Sequence, residues 1–389
     1  MAAAVRRLAL ILSFGWALLA FPAAAAETGP KGGVLDFTAA ERSLIGSFGP
    51  WPPKPAGDES NRWQARPSVV AYGRALFEDA GLSSDGRLSC ASCHDRHKAF
   101  QDGRAVAEGR GAGTRNTPTL LDVADRRWFG WDGGHDSLWS ASVAPLLDPR
   151  EMASRPELVA SRVRTDLRRR AAYRAAFGAD PPSDDLALVV QLAKALAAYQ
   201  AGLRSPRTPF DRFRDALERN DRRAASTYPL AAQRGLRLFI GEARCSTCHA
   251  GPAFTNDEFA DVGVPFFVAG GADAGRHGGL TRLLSSGLNR LGGFNDAGKD
   301  DPRAVLTFHL KIEPRHFGEF RVPSLRQLVH TAPYMHNGSL ATLEDVVRHY
   351  DQLDEERLHA DGERILRRLN LTPAQAGDLV AFLRTLSSR

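Results

Sequence analysis

Cys90-Ala91-Ser92-Cys93-His94 and Cys245-Ser246-Thr247-Cys248-His249 use all four cysteines of this 389-residue chain. Each has the Cys-x-x-Cys-His spacing of covalent c-type haem attachment, with two thioether bonds to the porphyrin and the histidine as iron ligand. Two intervening residues let a tight turn present both sulfurs to the two vinyl groups, and the next residue then lies under the iron. A zinc site or a dithiol redox pair would leave the paired, immediately following histidines unexplained. Two covalently bound c-type haems are therefore expected: one on Cys90, Cys93 and His94, the other on Cys245, Cys248 and His249.

Arg6 and Arg7 precede an apolar run from Leu8 to Ala20, and Ala24-Ala25-Ala26 precedes Glu27. This is the pattern of a secretory signal peptide with an Ala-x-Ala-type cleavage site, expected to occupy residues 1–26. The run is shorter than the roughly 20 residues of a spanning helix, and no other stretch is long and apolar enough to span. A chain without a membrane span in a bacterial periplasm, where c-type haem is attached, is the expectation. Four cysteines in an exported chain would otherwise read as two disulfides; here the haems consume them. The chain has 51 basic and 45 acidic residues, and without Arg6 and Arg7 the net charge of +6 becomes +4, too little to argue for nucleic acid. The basic cluster from Arg162 to Arg174 reads as a solvated helix face.

The two motifs sit in matching contexts. Gly73-Arg74-Ala75-Leu76-Phe77 precedes the first and Gly235-Leu236-Arg237-Leu238-Phe239 the second, each at the end of a helix. Ala99-Phe100 follows the first and Ala253-Phe254 the second. Arg115-Asn116-Thr117-Pro118-Thr119-Leu120 is echoed by Arg321-Val322-Pro323-Ser324-Leu325. Such ordered similarity predicts a mostly α fold of two cytochrome c-like haem domains related by internal duplication, 27–208 and 209–389. A helix starts after Pro181-Pro182-Ser183-Asp184 with Leu186, Val189, Val190, Ala193, Leu196 and Ala197 on its apolar face. Arg204 to Pro209 reads as a linker, and the glycine-rich stretch from Val262 to Asp301 as a long surface loop. Thr342-Leu343-Glu344-Asp345 has the pattern of a capping box. The helix it opens places Leu343, Val346, Val347 and Tyr350 on one inward face. A final helix begins at Thr372-Pro373.

The motifs, Trp131-Asp132-Gly133 between them, Pro145, Asp148-Pro149-Arg150-Glu151-Met152, and Thr331-Ala332-Pro333-Tyr334-Met335-His336-Asn337-Gly338 together resemble the bacterial dihaem cytochrome c peroxidase and MauG family over essentially the whole mature chain. The resemblance implies a peroxide-reacting N-terminal haem, a low-spin electron-transfer C-terminal haem, and His94 and His249 as their proximal ligands. It implies Glu151 as the distal acid-base group, Pro145 over the same pocket, and Trp131 as a relay between the haems. It also implies a calcium site at Asn116, Thr331 and Pro333. In the peroxidases the sixth ligand of the second haem is typically a methionine on the helix after the Pro-Tyr-x-His segment, and in the MauG type a tyrosine. Tyr350 lies at the matching place, while Met152 and Met335, the two methionines beyond Met1, lie elsewhere. An anionic phenolate stabilises ferric and more oxidised iron, whereas a thioether favours the ferrous state.

The stretch between His97 and Asn116 has no histidine to close the first haem's distal side, so that side is expected to be open. The implied enzyme uses hydrogen peroxide to reach a high-valent state shared by both haems, then oxidises a residue of a periplasmic partner protein, with tryptophan the expected target. The competing readings are a cytochrome c peroxidase drawing electrons from a small cytochrome or cupredoxin, and a non-enzymatic dihaem electron carrier. Several positions depart from the family. The usual Phe-Trp-Asp-Gly-Arg is Gly130-Trp131-Asp132-Gly133-Gly134, and Ala141 stands where relatives carry a distal glutamine. Ala243 stands where the quinone-forming MauG has a surface tryptophan, which puts that substrate in doubt. The MauG-like MbnH branch, found with methanobactin genes, resembles this chain in the tyrosine and the open distal side.

Overall fold

A computed structural model of the protein describes residues 33–54, 57–268, 271–358 and 365–388; the expected signal peptide lies outside the described residues. The helices of the first half are α1 (Ala39–Gly46), α2 (Pro67–Glu78), the single turn α3 (Cys90–Cys93), α4 (Leu138–Leu147), α5 (Pro156–Thr165), α6 (Leu167–Phe177) and α7 (Asp185–Gln200). The second half holds α8 (Pro209–Glu218), α9 (Arg222–Ala225), α10 (Leu230–Ile240), α11 (Gly275–Ser285), α12 (Ala304–Phe308), α13 (Leu343–Asp351) and α14 (Pro373–Arg384). The strands are short: β1 (Phe259–Ala260) pairs antiparallel with β4 (Phe320–Arg321), and β2 (Phe267–Val268) with β3 (Gly271–Ala272). The mostly helical expectation holds.

Each half is built on one helix crossing. In the first, α2 packs on α7, whose start is set by Asp184 accepting from Ala187 N. A Cβ on Gly73 would stand 1.9 Å from Ala195 O. In the second, α10 packs on α14, and a Cβ on Gly235 would stand 1.9 Å from Asp378 O. Only glycine lets backbones approach this closely. The bond pattern after each crossing is also repeated. Thr119 Oγ1 donates to Ala99 O, and Ser324 Oγ to Ala253 O at 2.7 Å. Arg321 N donates to Trp131 O and Asn116 N to His336 O, both at 2.7 Å, so each half holds the other's segment.

The apolar residues form two cores. One spans Val69 to Ala198; the other gathers Phe210 to Leu386 but also takes Phe37, Ile45 and Phe48. Phe48 stacks on Phe254 with ring centroids 4.7 Å apart. A boundary at 208/209 therefore does not describe residues 34–48, which bury their aromatic side chains against the second core. Conversely, Leu288 and Phe294 of the second half pack on the first core.

Two further expectations change. The stretch 262–301 is not simply a surface loop: it contains α11, and Arg290, 2 % exposed, is held there by Asp58, Asp136 and Asp301. Glycines masked this helix because Gly279 is needed for close packing, a Cβ there standing 2.2 Å from Asp132 O. Nor is the 162–174 cluster only a solvated face. Arg162 donates to Gly81 O, Ser83 O and Ser84 O, and Arg169 pairs with Asp79, gripping the turn that leads to the first motif. The linker runs as coil from 203 to 208, tied by Ser205 N to Asp122 and by Trp51 Nε1 to Ser205 O.

Candidate functional site

Both Cys-x-x-Cys-His motifs fold as single turns in which the histidine N–H returns to the first cysteine's carbonyl, at 2.9 Å in each. All four cysteines are half-buried and none is joined in a disulfide. Burial pushes Cys90 and Cys245 up to about 12, so neither is held as a reactive thiolate. His94 Nδ1 lies 2.9 Å from Phe100 O and His249 Nδ1 lies 3.0 Å from Phe254 O. A carbonyl can only accept, so Nδ1 carries the proton in both rings and Nε2 keeps its lone pair. This is how metal-ligating histidines are oriented. Burial lowers both imidazoles, His249 to about 4, which keeps them neutral as ligation requires. The residues present fit two c-type haems.

What approaches each motif differs. Helix α4, with Pro145 inside it, ends at Leu147, and the next turn folds back: Met152 N donates to Pro145 O, and Glu151 N and Ala153 N to Asp148 O. The turn delivers Glu151 to the first motif, where it acts on the Cys90 and Cys93 thiols, after burial and nearer neighbours, to raise them. Glu151 is exposed, yet desolvation by the neighbouring protein, then Asp148, raises its carboxyl above the ordinary value. The segment 109–111 lies across it, with Arg110 N donating to Glu151 O at 3.1 Å.

At the second motif stands Tyr350. The capping box at Thr342 and Asp345 starts α13 as expected, and Leu343 and Val347 are buried on the face that also carries Tyr350. Burial pushes its phenol up, and the Cys245 and Cys248 thiols push it further. The phenol thus lies within electrostatic reach of the motif, and burial by protein alone favours its neutral form. An anionic phenolate here needs a cation beside it.

Trp131 lies half-buried on the seam between the halves. Its Nε1 donates to Asn116 O at 2.8 Å. Asp132, 2 % exposed, would be raised by burial, but Arg115 and Arg282 hold it at about 2. Arg115 also grips Asp273 through two bonds of 2.7 and 2.6 Å. Gly134 stands where the resemblance implies an arginine, and Arg282 Nη2 would lie 2.9 Å from a Cβ there. Helix α11 therefore brings back a guanidinium that the segment itself lacks. None of Arg276, Arg282 or Asp273 was legible in the sequence, because all belong to the stretch without a periodic pattern.

The structure also brings Asn116 to the 331–336 segment. Asn116 Nδ2 donates to Arg104 O at 2.7 Å, which leaves Oδ1 as an acceptor, and Gln101 Nε2 reaches His330 O and Ala332 O. Among the described residues no cluster of three or more His, Cys, Asp or Glu could hold a metal. Any ion here would rest on neutral oxygens.

Residues 67–219 match the sequence family described as di-haem cytochrome c peroxidase. The chain is 34% identical over 324 residues to the methylamine utilization protein MauG of Methylorubrum extorquens, covering 83% of this chain and 79% of that one. It is also 34% identical over 349 residues to cytochrome-c peroxidase IdrP1 of Denitromonas iodatirespirans, covering 87% and 86%. A solved MauG-like protein associated with microbial copper homeostasis superposes with a TM-score of 0.65 at 26% identity, covering 86% of this chain and 93% of that one. With two haem-attachment turns, each with its histidine oriented for iron, and these relatives along most of its length, the chain belongs to the dihaem cytochrome c peroxidase and MauG family of peroxidase-type oxidoreductases.

Proposed function

We propose that this is a MauG-like periplasmic enzyme that uses hydrogen peroxide to oxidise residues, tryptophan first among them, of a partner protein. The observation that carries the reading is the asymmetry between the motifs: a carboxyl raised above its ordinary value at the first, a half-buried phenol at the second. When bound, the haems supply the centre where the peroxide O–O bond is cleaved and where its two oxidising equivalents are held.

Glu151 takes the proton from one peroxide oxygen and returns it to the leaving oxygen, so that the bond breaks heterolytically. Desolvation and the neighbouring Asp148 raise its pKa, which favours its taking up that proton. Pro145 covers the same pocket. Tyr350 serves as the anionic partner of the second iron, and Trp131 relays electrons between the two sites. Asn116, Thr331 and Pro333 would hold one calcium ion on neutral oxygens, which would tie the two halves together. The reciprocal backbone bonds, Arg321 N to Trp131 O and Asn116 N to His336 O, support duplication of a single-haem unit, with domains 27–208 and 209–389 apart from the crossing segment 34–48.

The relatives named as cytochrome-c peroxidases keep a second reading open, in which a small cytochrome or cupredoxin donates the electrons. Electron paramagnetic resonance of the oxidised holoprotein decides between them. One high-spin and one low-spin His-tyrosinate signal is expected. Two low-spin signals of His-Met or bis-His character would overturn the proposal, and would be the result for a plain electron carrier. The likeness to a protein associated with copper homeostasis points to a small exported copper-binding protein as the first partner to try.

A further inference from the structure

Two tryptophans lie three residues apart on the seam, Trp128 and Trp131, and their surroundings differ. Trp128 is 6 % exposed and its backbone N–H points to Asp257, in the loop that follows the second motif, at 3.4 Å. The guanidinium carbon of Arg276 stands 4.8 Å from the Trp128 ring centroid and 3.9 Å from that of Phe259. Arg276 is itself buried and donates to Gly133 O at 2.9 Å, while its backbone N–H donates to Glu319 O at 2.7 Å. Gly133, at φ +61°, leaves the space: a Cβ there would lie 2.3 Å from Arg276 Nη1 and 2.4 Å from Phe259 Cζ. Trp131 instead donates its indole N–H to the neutral Asn116 carbonyl.

We infer that Arg276 is a positioning residue for charge: its fixed cation keeps the Trp128 ring from losing an electron and so confines oxidation on the seam to Trp131. A ring that loses an electron becomes a cation, and a guanidinium about 5 Å away repels it. At the effective dielectric of a protein that disfavours oxidised Trp128 by about 100-fold. Burial lowers Arg276 only to about 10, so the cation persists at neutral pH. The inference rests on the peroxide-using reading above. An indole that loses two electrons and two protons and takes up a water oxygen is hydroxylated. Those electrons and protons reduce one hydrogen peroxide to two waters, one of which replaces the water consumed.

The test treats purified holoprotein with hydrogen peroxide, without partner or donor, and maps oxygen addition by peptide mass spectrometry. The wild type should be modified at Trp131 well before Trp128. Arg276→Gln should raise Trp128 modification at least tenfold, and Arg276→Lys, which keeps the cation, should restore the wild-type pattern. Folding is checked by haem absorbance and melting temperature. Should Arg276→Gln not fold, the wild-type order still decides: equal modification of the two tryptophans overturns the inference. So does an unchanged Trp128 in a folded Arg276→Gln protein, or no modification of either indole in both proteins. Trp131→Phe separates the two readings. Undiminished partner oxidation in that variant removes the relay role of Trp131, while the effect of Arg276 on Trp128 is read independently.

Discussion

The first and second haem-attachment turns share a scaffold and differ in what faces it. Each has a glycine at the helix crossing, a histidine whose Nδ1 is bound to a carbonyl five or six residues on, and a hydroxyl-to-carbonyl tie beyond. The first is met by Glu151 from a turn with an exposed flank, the second by Tyr350 from a capped helix. The shared part is what attaching a haem needs. The unshared part is where the proposed chemistry divides: Glu151 as proton carrier at one side, Tyr350 as anionic ligand at the other.

The largest test of that division is Tyr350→Met, which makes the second side resemble a conventional peroxidase. A neutral thioether should raise the second haem's potential. Partner modification, followed by mass spectrometry after peroxide, is expected to be lost while oxidation of small reductants persists. A wild-type yield of modified partner would mean that the phenol is not what distinguishes the two sides.

Glu151→Gln removes the proposed proton carrier at nearly constant volume and should slow peroxide cleavage about 100- to 10,000-fold in stopped-flow mixing. In the wild type the ionised carboxyl is the form that accepts the proton. Because its pKa is raised, the fall in rate with decreasing pH should set in at a higher pH than for an unperturbed glutamate. The variant should lose that pH dependence, and a rate equal to wild type would remove Glu151 from the step.

Gly73→Ala and Gly235→Ala ask whether the scaffold is equally demanding in both halves. Each new methyl would meet a backbone carbonyl, and a backbone cannot rotate away as a side chain does. A cost of about 3 kcal/mol is expected from each, read as a lowered denaturant midpoint. A neutral result at one position would show that the two crossings are not equivalent.

The smallest effect lies on the seam. Burial depresses His336 to about 4, and its ring stacks on Phe320 at 3.5 Å. A depressed histidine contributes stability that is present above its unfolded pKa near 6.5 and is lost as pH falls toward 4. The loss is at most about 1.4 kcal/mol per pH unit for one imidazole. His336→Gln should flatten the melting temperature of the protein over that window; an unchanged slope would assign the acid sensitivity to other groups.

Much of the candidate site was legible because its chemistry is local. Cys-x-x-Cys-His closes within one turn, so spacing alone specifies the attachment, and the capping box at Thr342 announces α13 from side chains three residues apart. Proximity between Glu151 and the first motif, or Tyr350 and the second, was carried by resemblance, since each pair is separated by dozens of residues. The helix α11 was hidden because its glycines serve tertiary contact: Gly279 admits the Asp132 carbonyl, and a propensity reading counts such a residue as loop.

By itself, the sequence determined two haem-attachment turns, their histidines and a largely helical chain, because hydrogen bonds and apolar periodicity over a few residues specify those features. The tertiary structure alone decided that residues 34–48 cross to the second core. It also decided that Arg282 stands in for the arginine absent at Gly134, and that Arg276 sits between Trp128 and Phe259. Those arrangements join segments well over a hundred residues apart, and burial of an aromatic or a guanidinium selects its partners by shape and charge in space, with no trace in local spacing.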